Sequence, residues 1–214
     1  SRCGSTDVLE ALGVAIQGDA EALLHRLEHD GLVFLFAPAH HPAMRHVGKA
    51  RKDLGGRTVF NQLGPLANPA GAKRQLIGVY DDGLMRSMGE ALNSLGTERA
   101  LLVHGDDGMD EISPVTSTQA IRVWDGRVEP VTLLPKDFGR DPIDPAALSP
   151  GDDAKANAEI LREAIGDPDS PRAAAILPSC GATLWLAGVA DTLPEATELA
   201  LATIASGAAL RKLE

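Results

Sequence analysis

The segment HGDDGMDEIS, residues 104–113, places four carboxylates within six residues: Asp106, Asp107, Asp110 and Glu111. They directly follow an apolar segment of strand length, and open α/β sheets bind ligands at the carboxyl ends of their strands. Neighbouring carboxylates repel each other unless a cation or water screens them. Magnesium takes one or two protein carboxylates and completes its octahedron with water and substrate phosphates. Spacing alone slightly favours a solvated acidic turn, so both interpretations stay open.

Residues 39–75 concentrate basic side chains in an otherwise acidic chain. A predicted helix from His41 to Leu54 places Arg51 nearly three turns after His41 and within about 80° of it around the helix axis. A helical arginine that faces a cleft can bind a carboxylate through both guanidinium nitrogens. The alternative is a solvated basic face, which we prefer for Lys49 and Lys52. The histidines lack zinc-ligand spacing, so no zinc site is expected.

Two further segments suit ligand binding without requiring it. Gly64-Pro65 fixes a turn in a predicted loop from Arg57 to Pro69, and Gly64 would let a flat ligand approach the backbone closely. A rigid connector explains that loop equally well. The opening residues, Ser1 to Ser5, place hydroxyls and a glycine before a helix, which is a common phosphate-binding arrangement.

Periodicity predicts an α/β domain over residues 1–214, with a mostly parallel sheet flanked by helices and an antiparallel hairpin appended. The hairpin is indicated by Asp125-Gly126 between two strand-like segments. The predicted strands are Leu32–Ala37, Leu76–Tyr80, Ala100–His104, Ala120–Trp124 and Val128–Leu133. The other predicted helices are Asp7–Leu12, Asp19–Asp30, Gly83–Leu95, Ala154–Ile165, Arg172–Ala187, Pro194–Ala205 and Gly207–Leu213, with a loop at Pro135–Pro150.

Charge and composition narrow the class of protein. The formal net charge is −10, from 30 acidic and 20 basic residues, which opposes nucleic acid and anionic lipid as partners. No apolar segment approaches the roughly 18 residues that span a bilayer, and no signal peptide is recognisable. The two cysteines, Cys3 and Cys180, form neither a disulfide framework nor a zinc motif. We therefore expect a cytoplasmic, reducing location.

Taken together, four segments resemble the anthranilate phosphoribosyltransferase family in order and spacing across essentially the whole chain. They are GSTDVLEALGV, FLFAPAHHPAMRHVGKARKDLGGRTVFNQLGPLANPAGAKRQLIGVY, ALLVHGDDGMDEIS and ASGAALRKLE. The resemblance implies transfer of a phosphoribosyl group from phosphoribosyl pyrophosphate to anthranilate, a magnesium-dependent step of tryptophan biosynthesis. It also implies a homodimer in the full-length protein.

The resemblance assigns roles to individual residues. It makes Asp110 and Glu111 the Mg2+ ligands and Arg51 the partner of the anthranilate carboxylate. His41 would line the acceptor channel, and Gly64 and Pro65 would form the turn beside the anthranilate ring. Ser1, Gly4 and Ser5 would end a phosphate-binding loop, and no residue is expected to act as a covalent catalyst.

The resemblance also implies segments that do not occur in this sequence. A glycine-rich pyrophosphate loop and a small helical domain should precede Ser1, so we expect an N-terminally truncated and inactive chain. Residues 177–181, LPSCG, depart from the alanine-rich, asparagine-containing segment of the family, and Pro178 should kink or delay that helix. The alternatives are a pyrimidine-nucleoside phosphorylase of the same fold, which Arg51 and the Gly64-Pro65 turn oppose, and a nucleic-acid-binding relative, which the net charge opposes.

Overall fold

The computed structural model describes residues 3–41, 46–48, 53, 55–56 and 58–214. The chain divides into two compact units, Ser1–Gly71 with Asp153–Ala158 and Ala72–Asp152 with Glu159–Glu214. None of the described helices is both long enough and apolar enough to cross a membrane.

The helices that the structure describes within residues 3–71 are short. They are α1 (Ser5–Ala11), α2 (Ala20–Asp30), α3 (Ala37–His40) and α4 (Phe60–Leu66). The carboxylate of Asp19 accepts a hydrogen bond from the backbone N–H of Ala22, which starts α2, and Gly31 ends α2 at φ 69°. The predicted helices at Asp7–Leu12 and Asp19–Asp30 are therefore confirmed within a residue or two.

The predicted strand Leu32–Ala37 is wrong. Residues 32–36 have no regular structure, and α3 begins at Ala37. A strand forms only when its backbone groups pair with a neighbouring strand, and the described sheet contains none beside this segment. Leu32 is 68% exposed, so the apolar segment is not buried as the prediction required.

The predicted loop from Arg57 to Pro69 instead contains the helix α4. Its start is stabilised by reciprocal hydrogen bonds, from the Thr58 N–H to Asn61 Oδ1 and from the Asn61 N–H to the Thr58 carbonyl, both 2.9 Å. Pro65 is the second-last residue of this helix, where a missing N–H costs a single bond. Most of the predicted helix from His41 to Leu54 lies outside the described residues.

The second unit contains a mixed sheet in the order β1-β2-β3-β4. The strands are β1 (Arg74–Gly78), β2 (Arg99–Gly105), β3 (Thr118–Trp124) and β4 (Arg127–Leu133). β1 and β2 are parallel and are joined by helix α5 (Asp82–Ser94), whereas β3 and β4 add an antiparallel hairpin. The hairpin turn has positive φ at Asp125 (50°) and Gly126 (74°), as its sequence predicts. The α/β class and the appended hairpin are confirmed.

Helices cover both faces of this sheet. The later helices are α6 (Ala154–Gly166), α7 (Pro171–Ala187), α8 (Leu193–Ala205) and α9 (Ala208–Leu213). Ile121 and Val123 pack beneath Gly89 of α5 on one face. Leu101 and Val103 share a buried cluster with Ala182 and Leu186 of α7 on the other face. Alternating side chains along each strand thus pack against helices on opposite faces of the sheet. Two 3-10 helices, Pro135–Phe138 and Pro145–Leu148, interrupt the predicted loop before α6.

Candidate functional site

The acidic loop, residues 105–117, leaves the carboxyl end of β2, as the sequence predicts. The Gly105 N–H donates to the Met109 carbonyl at 2.8 Å, and Gly108 turns the chain at φ 87°. The Asp106 N–H donates to the carbonyl of Ser117 at 2.9 Å, which joins the two ends of the loop. The loop is therefore a closed turn held at the edge of the sheet.

Two of the four carboxylates brace this loop. Asp106 accepts hydrogen bonds from the Ser117 hydroxyl and from Gln119 Nε2, and these bonds lower the pKa of its carboxyl. Asp107 accepts from the Ser113 hydroxyl at 2.6 Å and from the Met109 N–H at 3.2 Å. Such side-chain bonds to backbone and hydroxyl groups fix turns. Asp106 and Asp107 thus stabilise the conformation of the loop.

Asp110 and Glu111 are the remaining pair, and both are exposed. Glu111 accepts a hydrogen bond at 3.2 Å from the hydroxyl of Ser179, which lies on α7. Although the residue as a whole is exposed, its carboxyl lies against the apolar lining of a cavity beside α7. This partial burial raises the pKa of Glu111 above the usual range; the Ser179 hydrogen bond opposes that rise and the negative charge of Asp110 adds to it. The pair therefore holds two mutually repelling carboxylates in a position where a cation would relieve the repulsion.

The donor set fits magnesium better than a metal held wholly by protein. Within the described part of the chain, no three His, Cys, Asp or Glu side chains converge as metal ligands. Magnesium commonly binds through one or two carboxylates and takes its other ligands from water and phosphate oxygens. Asp110 and Glu111 supply that number of carboxylates on a loop held by internal hydrogen bonds.

A cavity of about 650 Å³ adjoins the acidic pair and is mostly apolar. Glu111 lines it together with Ile112 of the loop and Ser179, Cys180 and Leu184 of α7. Burial raises the pKa of the Cys180 thiol, and the negative charge of Glu111 adds to the effect. An apolar wall beside Glu111 explains why that carboxyl loses part of its hydration.

The predicted acceptor residues belong to the first unit or lie outside the described residues. His41 is half-buried at the end of α3, where its N–H donates to the Ala37 carbonyl at 3.1 Å. Gly64 and Pro65 lie in α4 rather than in the predicted turn, and no atom of the described residues outside this stretch of helix lies within 4 Å of the position of a Cβ on Gly64. Arg51 lies outside the described residues. Gly64 thus keeps the open backbone approach for which we singled it out.

The predicted phosphate-binding residues stand at the start of α1. Gly4 is the N-cap of this helix and Ser5 is its first residue, whereas Ser1 lies outside the described residues. The N-cap, Gly4, has no side chain to cap the helix, and its N–H donates to Asp7 Oδ2 at 2.9 Å. The carboxylate of Asp7 therefore occupies one donor that a phosphate would use.

Comparison with known proteins identifies the family. The profile of the glycosyl transferase family, a/b domain, matches residues 1–210. The chain belongs to this family. The anthranilate phosphoribosyltransferase of Rubrobacter xylanophilus is 49% identical over 215 residues, which cover 100% of this chain and 63% of that protein. The enzyme of the same name from Methanocorpusculum labreanum is 44% identical over 214 residues and is covered to 62%. The chain thus spans less than two thirds of these relatives.

Solved structures of the family agree with this assignment. The crystal structure of anthranilate phosphoribosyltransferase from Thermus thermophilus is 40% identical and superposes with a TM-score of 0.89, over 98% of this chain and 62% of that one. The enzyme from Saccharomyces cerevisiae in complex with PRPP and Mg is 28% identical with a TM-score of 0.84, over 99% of this chain and 61% of that one. The resemblance inferred from the four sequence segments is therefore confirmed.

Sequence reasoning did not connect Ser179 with the candidate site. The departure of residues 177–181 from the family pattern drew attention to the segment, but no local pattern connects it with residue 111. Ser179 and Glu111 are 68 residues apart in the sequence. They meet because α7 packs against the same face of the sheet as the loop. Pro178 is accommodated inside α7 and is buried, and the helix continues to Ala187.

Proposed function

We propose that this chain forms part of an anthranilate phosphoribosyltransferase. The enzyme would transfer the phosphoribosyl group of phosphoribosyl pyrophosphate to the amine of anthranilate, releasing pyrophosphate, in tryptophan biosynthesis. The observation that carries the proposal is the Asp110–Glu111 pair, exposed on a braced loop at the carboxyl end of β2 in a member of this family. The names of its relatives support the choice of acceptor.

In this proposal, Asp110 and Glu111 hold Mg2+. When bound, the ion would neutralise the charge that develops on the pyrophosphate leaving group. The loop bonds of Asp106 and Asp107 keep the pair in place, and the apolar cavity beside Glu111 limits its hydration. A preorganised site of this kind spends little free energy on reordering its ligands during the reaction.

The acceptor residues follow from the family resemblance. Arg51 would bind the anthranilate carboxylate, His41 would line the acceptor channel, and Gly64 and Pro65 would flank the aromatic ring. Ser1, Gly4 and Ser5 would contact phosphate. The anthranilate amine is itself a nucleophile, so we propose that the chain acts by positioning the two substrates rather than through a covalent intermediate. The open backbone at Gly64 supports this placement of a flat ring.

The proposal extends to the assembled enzyme. We propose that the chain is the C-terminal α/β portion of a cytoplasmic enzyme that acts as a homodimer, and that the complete protein is needed for turnover. This chain covers 63% and 62% of the two relatives, which supports a catalytic unit longer than the chain. The excess of acidic residues, 30 against 20 basic ones, opposes nucleic acid as a partner.

The test uses the complete protein that carries this sequence. With Mg2+ and phosphoribosyl pyrophosphate it should consume anthranilate, followed by the loss of anthranilate fluorescence. Asp110→Ala and Glu111→Ala should each abolish the magnesium dependence of the rate, whereas Asp152→Ala, which removes an exposed carboxylate elsewhere, should not. Absence of turnover with anthranilate would overturn the proposal, and so would phosphorolysis of thymidine as the main activity.

A further inference from the structure

The structure assigns Ser179 as a positioning residue for Glu111, the metal carboxylate of the proposed function. Its hydroxyl lies 3.2 Å from Glu111 Oε2 and donates to it across the boundary between α7 and the acidic loop. This assignment rests on the proposed metal role of Glu111. It adds a residue that would act on the metal indirectly, since the Ser179 hydroxyl is hydrogen-bonded to the carboxylate itself.

Ser179 suits this role because its helix is firmly anchored. α7 is 17 residues long, begins with the Ser170 side chain accepting from the Arg172 N–H, and ends at Gly188 with φ 75°. Its buried residues Ala182 and Leu186 belong to the same cluster as Leu101 of β2. The position of the Ser179 hydroxyl is therefore set by the core, to which Ile112 of the acidic loop also belongs.

The second neighbour of α7 fixes its position further. A Cβ on Gly181 would lie 2.2 Å from Thr197 Oγ1 and 3.1 Å from Thr197 Cα, so α7 and α8 approach closely at this point. Ala173 and Leu177 of α7 share a second buried cluster with Ile204 of α8. A helix packed against the sheet on one side and α8 on the other holds the Ser179 hydroxyl at a defined place beside Glu111.

The chemical effect of the bond is to orient one oxygen of Glu111. A glutamate has several rotatable bonds, and its carboxylate samples many orientations when exposed. With Oε2 engaged by the Ser179 hydroxyl, Oε1 and the remaining lone pairs stay available for a cation. Outer partners that orient metal-binding carboxylates typically change metal affinity by about 10- to 100-fold when removed. We expect the low end of that range, because this hydrogen bond is solvent-exposed.

The experiment measures metal binding directly in the complete protein. Mn2+ replaces Mg2+ as the probe, and its dissociation constant is measured by electron paramagnetic resonance with and without phosphoribosyl pyrophosphate. Ser179→Ala should weaken Mn2+ binding about ten-fold. It should also raise the magnesium concentration needed for half-maximal rate, while saturating magnesium restores kcat. Ser179→Thr keeps the hydroxyl and should bind Mn2+ as the wild type does.

A matched control separates positioning from packing. Thr203→Ala removes a hydroxyl that lines the same cavity but donates to the Leu199 carbonyl, and it should leave Mn2+ binding unchanged. Equal losses in Ser179→Ala and Thr203→Ala would overturn the assignment, because they would trace the effect to the cavity. If Ser179→Ala binds Mn2+ as the wild type does while Glu111→Ala binds it more weakly, the assignment of Ser179 is overturned and the metal role of Glu111 stands. Unchanged binding in Glu111→Ala would overturn the proposed metal role as well.

Discussion

The carbonyl oxygen of Asp110 lies 1.8 Å from the position that a Cβ atom on Gly78 would occupy. Gly78 is the last residue of β1, and Asp110 belongs to the acidic loop that follows the neighbouring strand β2. The missing side chain at residue 78 therefore lets the loop lie directly against the end of β1. This contact fixes the height of the candidate metal site above the sheet edge.

Gly78→Ala should consequently displace the acidic loop. A methyl group cannot share space with a backbone carbonyl, so overpacking should destabilise the fold by about 1–3 kcal/mol. Mn2+ binding should weaken because Asp110 and Glu111 move together. Urea denaturation and Mn2+ titration measure the two effects. Gly83→Ala is the control, since among the described residues outside its own helix backbone an added Cβ there comes within 4 Å of Asp81 Oδ1 alone, at 3.2 Å, and meets no backbone carbonyl. Wild-type metal binding in Gly78→Ala would contradict this account of the loop.

Asp107→Ala should weaken the metal site without touching a metal ligand. It removes the acceptor of the Ser113 hydroxyl and of the Met109 N–H, and hydrogen bonds to charged groups contribute about 1.5–3 kcal/mol. The loop should become more mobile, which hydrogen exchange at Met109 would detect, and Mn2+ affinity should fall. Asp107→Asn keeps an acceptor and should lose less. Equal effects of the two substitutions would show that charge, rather than bracing, is what Asp107 provides.

Gly181→Ala should destabilise the contact between α7 and α8. The added methyl would lie 2.2 Å from Thr197 Oγ1, so we expect a loss of about 1–3 kcal/mol despite the better helix propensity of alanine. Thr197→Ala removes that hydroxyl and should recover part of the loss in the double variant. A double-mutant cycle from urea denaturation gives the coupling free energy. Strict additivity of the two changes would rule out the clash as the cause.

The Cys180 thiol should react only at unusually high pH. Burial, then the negative charge of Glu111, raises its pKa, so its reactive thiolate should appear above the usual pH range of a cysteine. In a Cys3→Ser background, the rate of alkylation by iodoacetamide against pH, followed by mass spectrometry, gives the midpoint. Glu111→Gln should lower that midpoint only partway, because burial is the larger cause. A midpoint equal to that of the unfolded chain would contradict the burial of Cys180.

Several elements could be predicted because their signals are local. Asp19 and Gly31 bracket α2, and Asp125-Gly126 forms the hairpin turn, since capping and positive φ depend on a few adjacent residues. The placement of the acidic loop after β2 was also confirmed, because a buried apolar strand followed by glycine and carboxylates is a local pattern.

Two predictions failed because they concerned partners that local sequence does not specify. Residues 32–36 are as apolar as a buried strand, yet they pair with no described strand and Leu32 is 68% exposed. Gly64-Pro65 suggested a turn, but reciprocal Thr58–Asn61 hydrogen bonds start a helix that tolerates Pro65 in its last turn. In both cases the outcome depends on which groups satisfy the backbone.

The order of the motifs and the types of their residues can be read from the sequence. They sufficed to identify the family, the α/β class and the carboxylates Asp110 and Glu111 as candidate metal ligands. Only the tertiary structure shows which of the four carboxylates stabilise the loop and which stay available for a ligand. Asp106 and Asp107 are engaged by hydroxyls within the loop, whereas Glu111 meets Ser179, 68 residues later, and Asp110 rests against Gly78. Contacts between residues so far apart in sequence arise from the packing of β1 and α7 against the sheet, and no local spacing encodes them.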